Sequence, residues 1–167
     1  MVNREPAKLK KVKDLFKGEY KESTGMDQPH RIETEQDTYS RINTIATVED
    51  TYKNPEETYG SIQISDSTAT IRVKAFEDTI HYLENIEKGD LVKVIGKIRK
   101  DEEGRFINGE IIKKLEDPEY AKLRELEIEQ KKEKQETDKK EDEKEDNEEQ
   151  KSEETESGLE IQENTVE

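Results

Sequence analysis

Cysteine and tryptophan are missing from this sequence, glycine occurs eight times in 167 residues, and aromatic residues make up only 5%. The absence of cysteine removes disulfides, thiolate zinc sites and a cysteine nucleophile together. Long apolar runs are also missing, and no window approaches the roughly 18 apolar residues of a membrane helix. The N-terminal stretch MVNREPAKLKKVKDLF is basic but has no apolar region behind its charges, so it does not read as a secretory signal. These absences lead to the expectation of a soluble, cytoplasmic chain without membrane contact.

Signals for catalysis are equally sparse. His30 and His81 lie far apart in sequence, and neither belongs to a metal-ligand spacing. There is no glycine-rich phosphate loop, no GxSxG and no HExxH. The sequence therefore reads as a non-enzyme, with no catalytic residue, no metal site, no cofactor and no small-molecule substrate.

What the chain has instead is charge. Charged residues reach 44% and hydrophobic residues 28%, a balance that buries one small core and not two. The net charge of −15 is spread unevenly: residues 1–21 carry +4, residues 131–167 carry −9, and the remainder carries −10.

Residues 38–117 hold the folding signal. RINTIATVEDT, from Arg41, alternates with Ile42, Thr44, Ala46 and Val48 on one face. After the loop around Asn54-Pro55 comes YGSIQISDSTATIRVKAF, which is two alternating runs joined by hairpin chemistry at SDST. EDTIHYLENIEKGD has helical spacing at Ile80, Leu83 and Ile86, with Asp78 or Thr79 as cap and Lys88-Gly89-Asp90 as stop. LVKVIGKIRK and RFINGEIIKKL follow as two strands around the turn DEEG. The order β-β-β-α-β-β in such a short span predicts an all-β domain with flanking helices: a small five-stranded barrel plugged by one helix between strands three and four. Gly96 and Gly109 mark where a tight barrel needs a bend or a close backbone approach.

The flanks differ from this centre. Residues 1–37 read as a basic segment and linker, with a short helix suggested by Leu9, Val12 and Phe16 and ended by Gly18. Residues 118–135 predict a helix with the narrow apolar face Tyr120, Leu123, Leu126 and Ile128, suited to docking on the barrel or on a partner. Residues 136–167 carry almost no apolar side chains and are expected to be a disordered acidic tail. That tail either solubilises the chain or competes for its basic strip, and it ends with Leu159, Ile161 and Val166.

The outward parity of strands two and three is where this kind of barrel binds single strands, using cations for phosphates and flat rings for bases. It offers Arg72, Lys74 and Phe76, flanked by Tyr52 and Tyr59 around the first loop. The turn between strands four and five adds Lys97, Arg99, Arg105 and Phe106. Both phenylalanines of the central region point outward by parity, although a core-building sequence normally places phenylalanine inside.

IQISDST, TIRVKAF, GDLVKVIGKIRK and INGEIIKKLED together resemble the OB-fold of the small subunit of replication protein A. REPA at Arg4 to Ala7, followed by DLFKGEY, resembles the opening of archaeal proteins associated with replication protein A. The resemblance covers about residues 4–20 and 39–117. It implies single-stranded DNA as ligand, other replication protein A type subunits as partners in a hetero-oligomer, and a nucleoid-associated role in replication, repair and recombination. In the relatives a stacking aromatic stands about where this chain has Lys74, and another near Glu110, so Phe76 and Phe106 are the candidates to replace them. Two alternatives remain open at this level: a protein-interaction module that supports a separate DNA binder, and an RNA-binding OB-fold.

Overall fold

A computed structural model describes residues 5–25 and 28–140. The strands are β1 (Lys8–Leu9), β2 (Glu19–Lys21), β3 (Arg31–Glu33), β4 (Thr38–Tyr39), β5 (Arg41–Lys53), β6 (Tyr59–Ser65), β7 (Thr70–Phe76), β8 (Leu91–Asp101) and β9 (Gly104–Leu115). The last five close into a barrel in the order β5-β6-β7-β9-β8, with β8 returning to pair with β5. Closure depends on the length of β5. Its first half, Arg41 to Thr47, pairs with β8, and its second half, from Thr47 on, pairs with β6. A register shift between Val48 and Asp50 bends the strand from one partner to the other.

The alternating side chains fill this barrel. Ile42, Ala46, Val48, Ile62, Ile64, Ile71, Val73, Val92, Val94, Ile98 and Ile107 are all 3% exposed or less. Gly96 is required by close approach, because a Cβ there would lie 2.4 Å from the Asn108 carbonyl oxygen. Any side chain would push β9 off β8 at the position where the two strands also shift register.

Two 3₁₀ turns add apolar side chains to the core. Between β7 and β8 the expected plug helix is only a single 3₁₀ turn, Ile80–Leu83. Ile80, Leu83 and Ile86 are nevertheless buried. The reason is geometric: a three-residue repeat is eclipsed in a 3₁₀ winding, so positions 80, 83 and 86 share an edge without an α-helix. Thr79 caps nothing with its side chain. Its hydroxyl instead donates to the Phe76 carbonyl oxygen at 3.1 Å, which tightens the turn out of β7.

The N-terminal segment differs from the sequence reading. Lys8–Leu9 is extended and pairs in parallel with β5, and Val12–Phe16 is a 3₁₀ turn with Val12 and Leu15 fully buried. β2, β3 and β4 pair into a three-stranded sheet, two strands of which flank and one of which lies within the stretch read as a linker. Long-range partners stabilise this segment. Asp66 in the β6–β7 turn accepts the Val12 N–H at 2.8 Å, and the Arg105 guanidinium donates to the carbonyls of Leu15, Lys17 and Gly18. Local spacing shows the apolar residues but not these distant caps. Gly18 adopts a positive φ of 72°, and a Cβ there would lie 2.5 Å from the Glu33 carbonyl oxygen.

A helix begins at residue 119 and runs through 140, five residues beyond the expected end. Arg124 secures its first turns, donating to the backbone and side-chain oxygens of Asn43 at 3.1 and 2.9 Å. No helix among the described residues is long and apolar enough to cross a membrane. Arg4 of the REPA stretch and the tail residues 141–167, with Leu159, Ile161 and Val166, lie outside the described residues.

Candidate nucleic-acid interface

Strand register alone assembles the outer face. Tyr59 pairs with Phe76, Ser61 with Lys74, and Gln63 with Arg72 across β6 and β7. Tyr52 on β5 pairs with Ser61, and Lys74 pairs with Asn108 on β9. On the next strand, Arg99 stands opposite Phe106 and Lys97 opposite Asn108. The inward neighbours Ile62, Val73, Ile98 and Ile107 are 1% exposed or less, so parity turns these partners outward.

The face has two parts. At the end near the β5–β6 loop, three rings lie in series. Tyr52 and Tyr59 have centroids 6.1 Å apart, and Tyr59 and Phe76 have centroids 5.2 Å apart. Phe76 stays on its strand and is 46% exposed, and Tyr52 is 55% exposed. Asn54 holds the loop beneath them, its side-chain oxygen accepting the N–H groups of Thr58 and Tyr59, each at 3.0 Å. Exposed rings at this density offer flat apolar area at small entropic cost.

At the other end lies the cationic part, and its cations are already engaged. Lys74 Nζ is 2.6 Å from Asp101 Oδ2 and 4.2 Å from the centroid of Phe106. Arg72 reaches Asp101 at 3.1 Å and also pairs with Glu103. Its guanidinium carbon lies 5.9 Å from the Phe106 centroid. The Lys74 ammonium, helped by the Glu103 N–H and by Arg72, holds the Asp101 carboxyl below its ordinary range despite some desolvation.

The structure thus brings Tyr52, Tyr59 and Phe76 into one cluster and Arg72, Lys74 and Phe106 into another. Lys97 is exposed, and Arg99 donates to its own strand at the Ile98 carbonyl, 2.8 Å away. Arg105 is directed elsewhere. Three of its N–H donors go to the carbonyls behind the first 3₁₀ turn at 2.8 to 2.9 Å, which ties it to the N-terminal segment. Glu110 pairs with Arg41 at 3.0 Å. Sequence reasoning passed over Asp101 and Glu103, which it counted only as turn residues. The pairing of Asp101 with Gly104 shows only a tight hairpin, and its place beside the β7 cations depends on the closed barrel. On the helix, Tyr120, Leu123 and Leu126 are about half exposed, while Ile128 is buried.

The barrel region matches a known family. The tRNA anti-codon family profile, described as an OB-fold nucleic acid binding domain, matches residues 43–128. The chain belongs to this OB-fold nucleic-acid-binding family. Among solved structures, the Stn1–Ten1 complex of S. pombe is similar at 17% identity and a TM-score of 0.53, over 60% of this chain and 76% of that one. A replication protein A heterotrimer bound to single-stranded DNA aligns at 20% identity and a TM-score of 0.47, over 53% of this chain and 68% of that one. The second OB-fold domain of replication protein A from Methanococcus maripaludis aligns at 22% identity and a TM-score of 0.39, over 47% and 86%. At 17% identity the likeness to the Stn1–Ten1 structure is one of fold. No curated protein matches the chain.

Proposed function

We propose that this OB-fold chain binds single-stranded DNA as a subunit of a replication protein A type complex, acting in replication, repair and recombination. The observation that carries the reading is the outward series Tyr52–Tyr59–Phe76, set beside the cations Arg72 and Lys74 on the same barrel face. Family membership supports nucleic acid as the ligand class. The REPA opening and the strand motifs, as a resemblance, support the replication protein A type. Bases stack on the rings while phosphates meet the cations, and stacking of this kind contributes about 1 to 3 kcal/mol per base. The chain is acidic overall, so long-range attraction to a polyanion is weak and short-range stacking must dominate.

Fluorescence anisotropy with labelled oligo-dT, at low and moderate salt, tests this directly. Saturable binding by the chain, or by its complex, is the expected result, and absence of binding by both removes the reading. Competition between oligo-dT and oligo-U separates DNA from RNA preference.

A second reading has its own observation. Tyr120, Leu123 and Leu126 are large apolar side chains left 48%, 52% and 56% exposed on the helix. They suit contact with another subunit, whether or not the barrel itself touches DNA. Leu123→Glu combined with Leu126→Glu should then abolish co-purification with that subunit and leave the barrel folded. Unchanged co-purification removes this reading.

A further inference from the structure

Lys74 and Arg72 are not free, and the group that holds them both belongs to the barrel itself. Asp101 ends β8 at the tip of the β8–β9 hairpin. Its Oδ1 accepts the Glu103 N–H at 2.9 Å, which fixes the carboxylate within the turn. From there it accepts Lys74 Nζ at 2.6 Å and Arg72 Nη2 at 3.1 and 3.3 Å, while Glu103 takes the other Arg72 nitrogen. Lys74 and Arg72 are two residues apart on one strand and project to the same side. One carboxylate therefore stands where a strand phosphate would contact both.

We propose that Asp101 is a specificity-determining residue of this face, making binding depend on nucleobases and rejecting polyanions that carry none. The inference rests on the nucleic-acid reading above. A phosphate reaching Lys74 and Arg72 must displace a carboxylate already bonded to them. That replaces one charge-assisted contact with another of similar kind, so the exchange contributes little net affinity. The gain has to come from elsewhere on the face. The Tyr52–Tyr59–Phe76 rings supply it only to a ligand with bases. A strand with bases rests on those rings and needs the two cations less. A base-free polyanion has only the cations, so it binds solely by breaking the ion pairs that Asp101 makes.

The test compares the full chain with its Asp101→Asn variant, which keeps the acceptor for the Glu103 N–H and removes the charge. Binding is followed by anisotropy with labelled oligo-dT and with an abasic strand of equal length. The wild type should strongly prefer oligo-dT. Asp101→Asn should raise affinity for the abasic strand several-fold and for oligo-dT less, so the preference narrows. Its salt dependence should steepen by about 0.7 in the log–log slope, for the freed Lys74, because Arg72 keeps its pair with Glu103. Glu103→Gln, which loosens Arg72 alone, should shift both readouts in the same direction by less, and it decides the matter if Asp101→Asn proves unstable. If the wild type binds oligo-dT and both variants keep its preference and slope, Asp101 does not set specificity and the nucleic-acid reading stands. If neither wild type nor variant binds either strand, both fail.

Discussion

Tyr59 and Phe76 stand directly opposite each other across the β6–β7 ladder, their ring centroids 5.2 Å apart and their planes inclined by 44°. Tilted pairs of this kind contribute about 0.5 to 1.5 kcal/mol beyond area burial. Here, however, the second ring is left nearly half exposed, with Tyr52 continuing the series on the other side. A strand pair optimised only for stability would cover such rings.

Phe76→Ala and Tyr52→Ala should therefore weaken oligo-dT binding by about 1 to 3 kcal/mol per stacked base lost. Thermal midpoints should move little for Tyr52→Ala, and for Phe76→Ala by no more than the loss of its tilted pair with Tyr59 and its half-buried area. Equilibrium titration and melting on the same samples separate the two effects. Unchanged affinity in both variants would remove the ring series from the binding face.

Arg105 should behave in the opposite way. Its guanidinium holds three carbonyls behind the first 3₁₀ turn, so Arg105→Ala should cost roughly 1 to 3 kcal/mol of stability in urea unfolding. The salt slope of binding should stay that of the wild type. Lys97→Ala, at an exposed outward cation, should leave stability alone and lower the slope by about 0.7. A lowered slope in Arg105→Ala would return that residue to the interface.

The N-terminal segment is part of the folded unit. Leu15 is fully buried among core residues, and Leu15→Ala should cost about 2 to 5 kcal/mol through lost burial and the cavity left behind. Phe16→Ala, at a neighbour 46% exposed, should cost far less. Equal effects in denaturant titrations would mean that the segment does not pack as described.

Acid should loosen the fold in a defined window. Burial raises the Asp37 carboxyl, but Lys8 and Lys10 outweigh it and hold it below the ordinary value of 3.8. The Glu87 N–H lowers Asp90, and Lys74 lowers Asp101. A folded-state value below the unfolded one means that the unfolded chain takes up protons first as pH falls. This stabilisation is complete above the unfolded value and is lost as pH drops through the folded values. Melting temperatures should thus be nearly flat from about pH 7 to 5 and fall below about pH 4. Asp37→Asn should be less stable than wild type at neutral pH and lose less on acidification. An identical acid profile would show that Asp37 does not contribute.

The barrel was legible because its signal is periodic. Alternation at Ile42–Val48, Ile62–Ile64 and Ile71–Val73 sets strand and face at once, and a one-residue slip would turn every isoleucine outward. Gly96 was legible for the same reason, since a glycine inside a strand implies close approach. The plug was legible in its residues, Ile80, Leu83 and Ile86, but not in its winding, because a spacing of three suits both an α-helix and a 3₁₀ turn. The strands of residues 19–39 were not legible, being two or three residues long with few apolar side chains.

By itself, then, the sequence determined which barrel residues face inward, that the chain has one small barrel, and which parity of its strands faces outward. Those properties are local, set by the two-residue period of a strand and the scarcity of apolar residues elsewhere. Tertiary structure decided how the outer side chains are used. Asp101 lies 27 positions from Lys74, and Arg105 lies 87 to 90 from the carbonyls it holds. Ion pairs and caps depend on distance in space, and only closure of the barrel puts the hairpin acid over the strand cations and turns Arg105 away to the N-terminal segment.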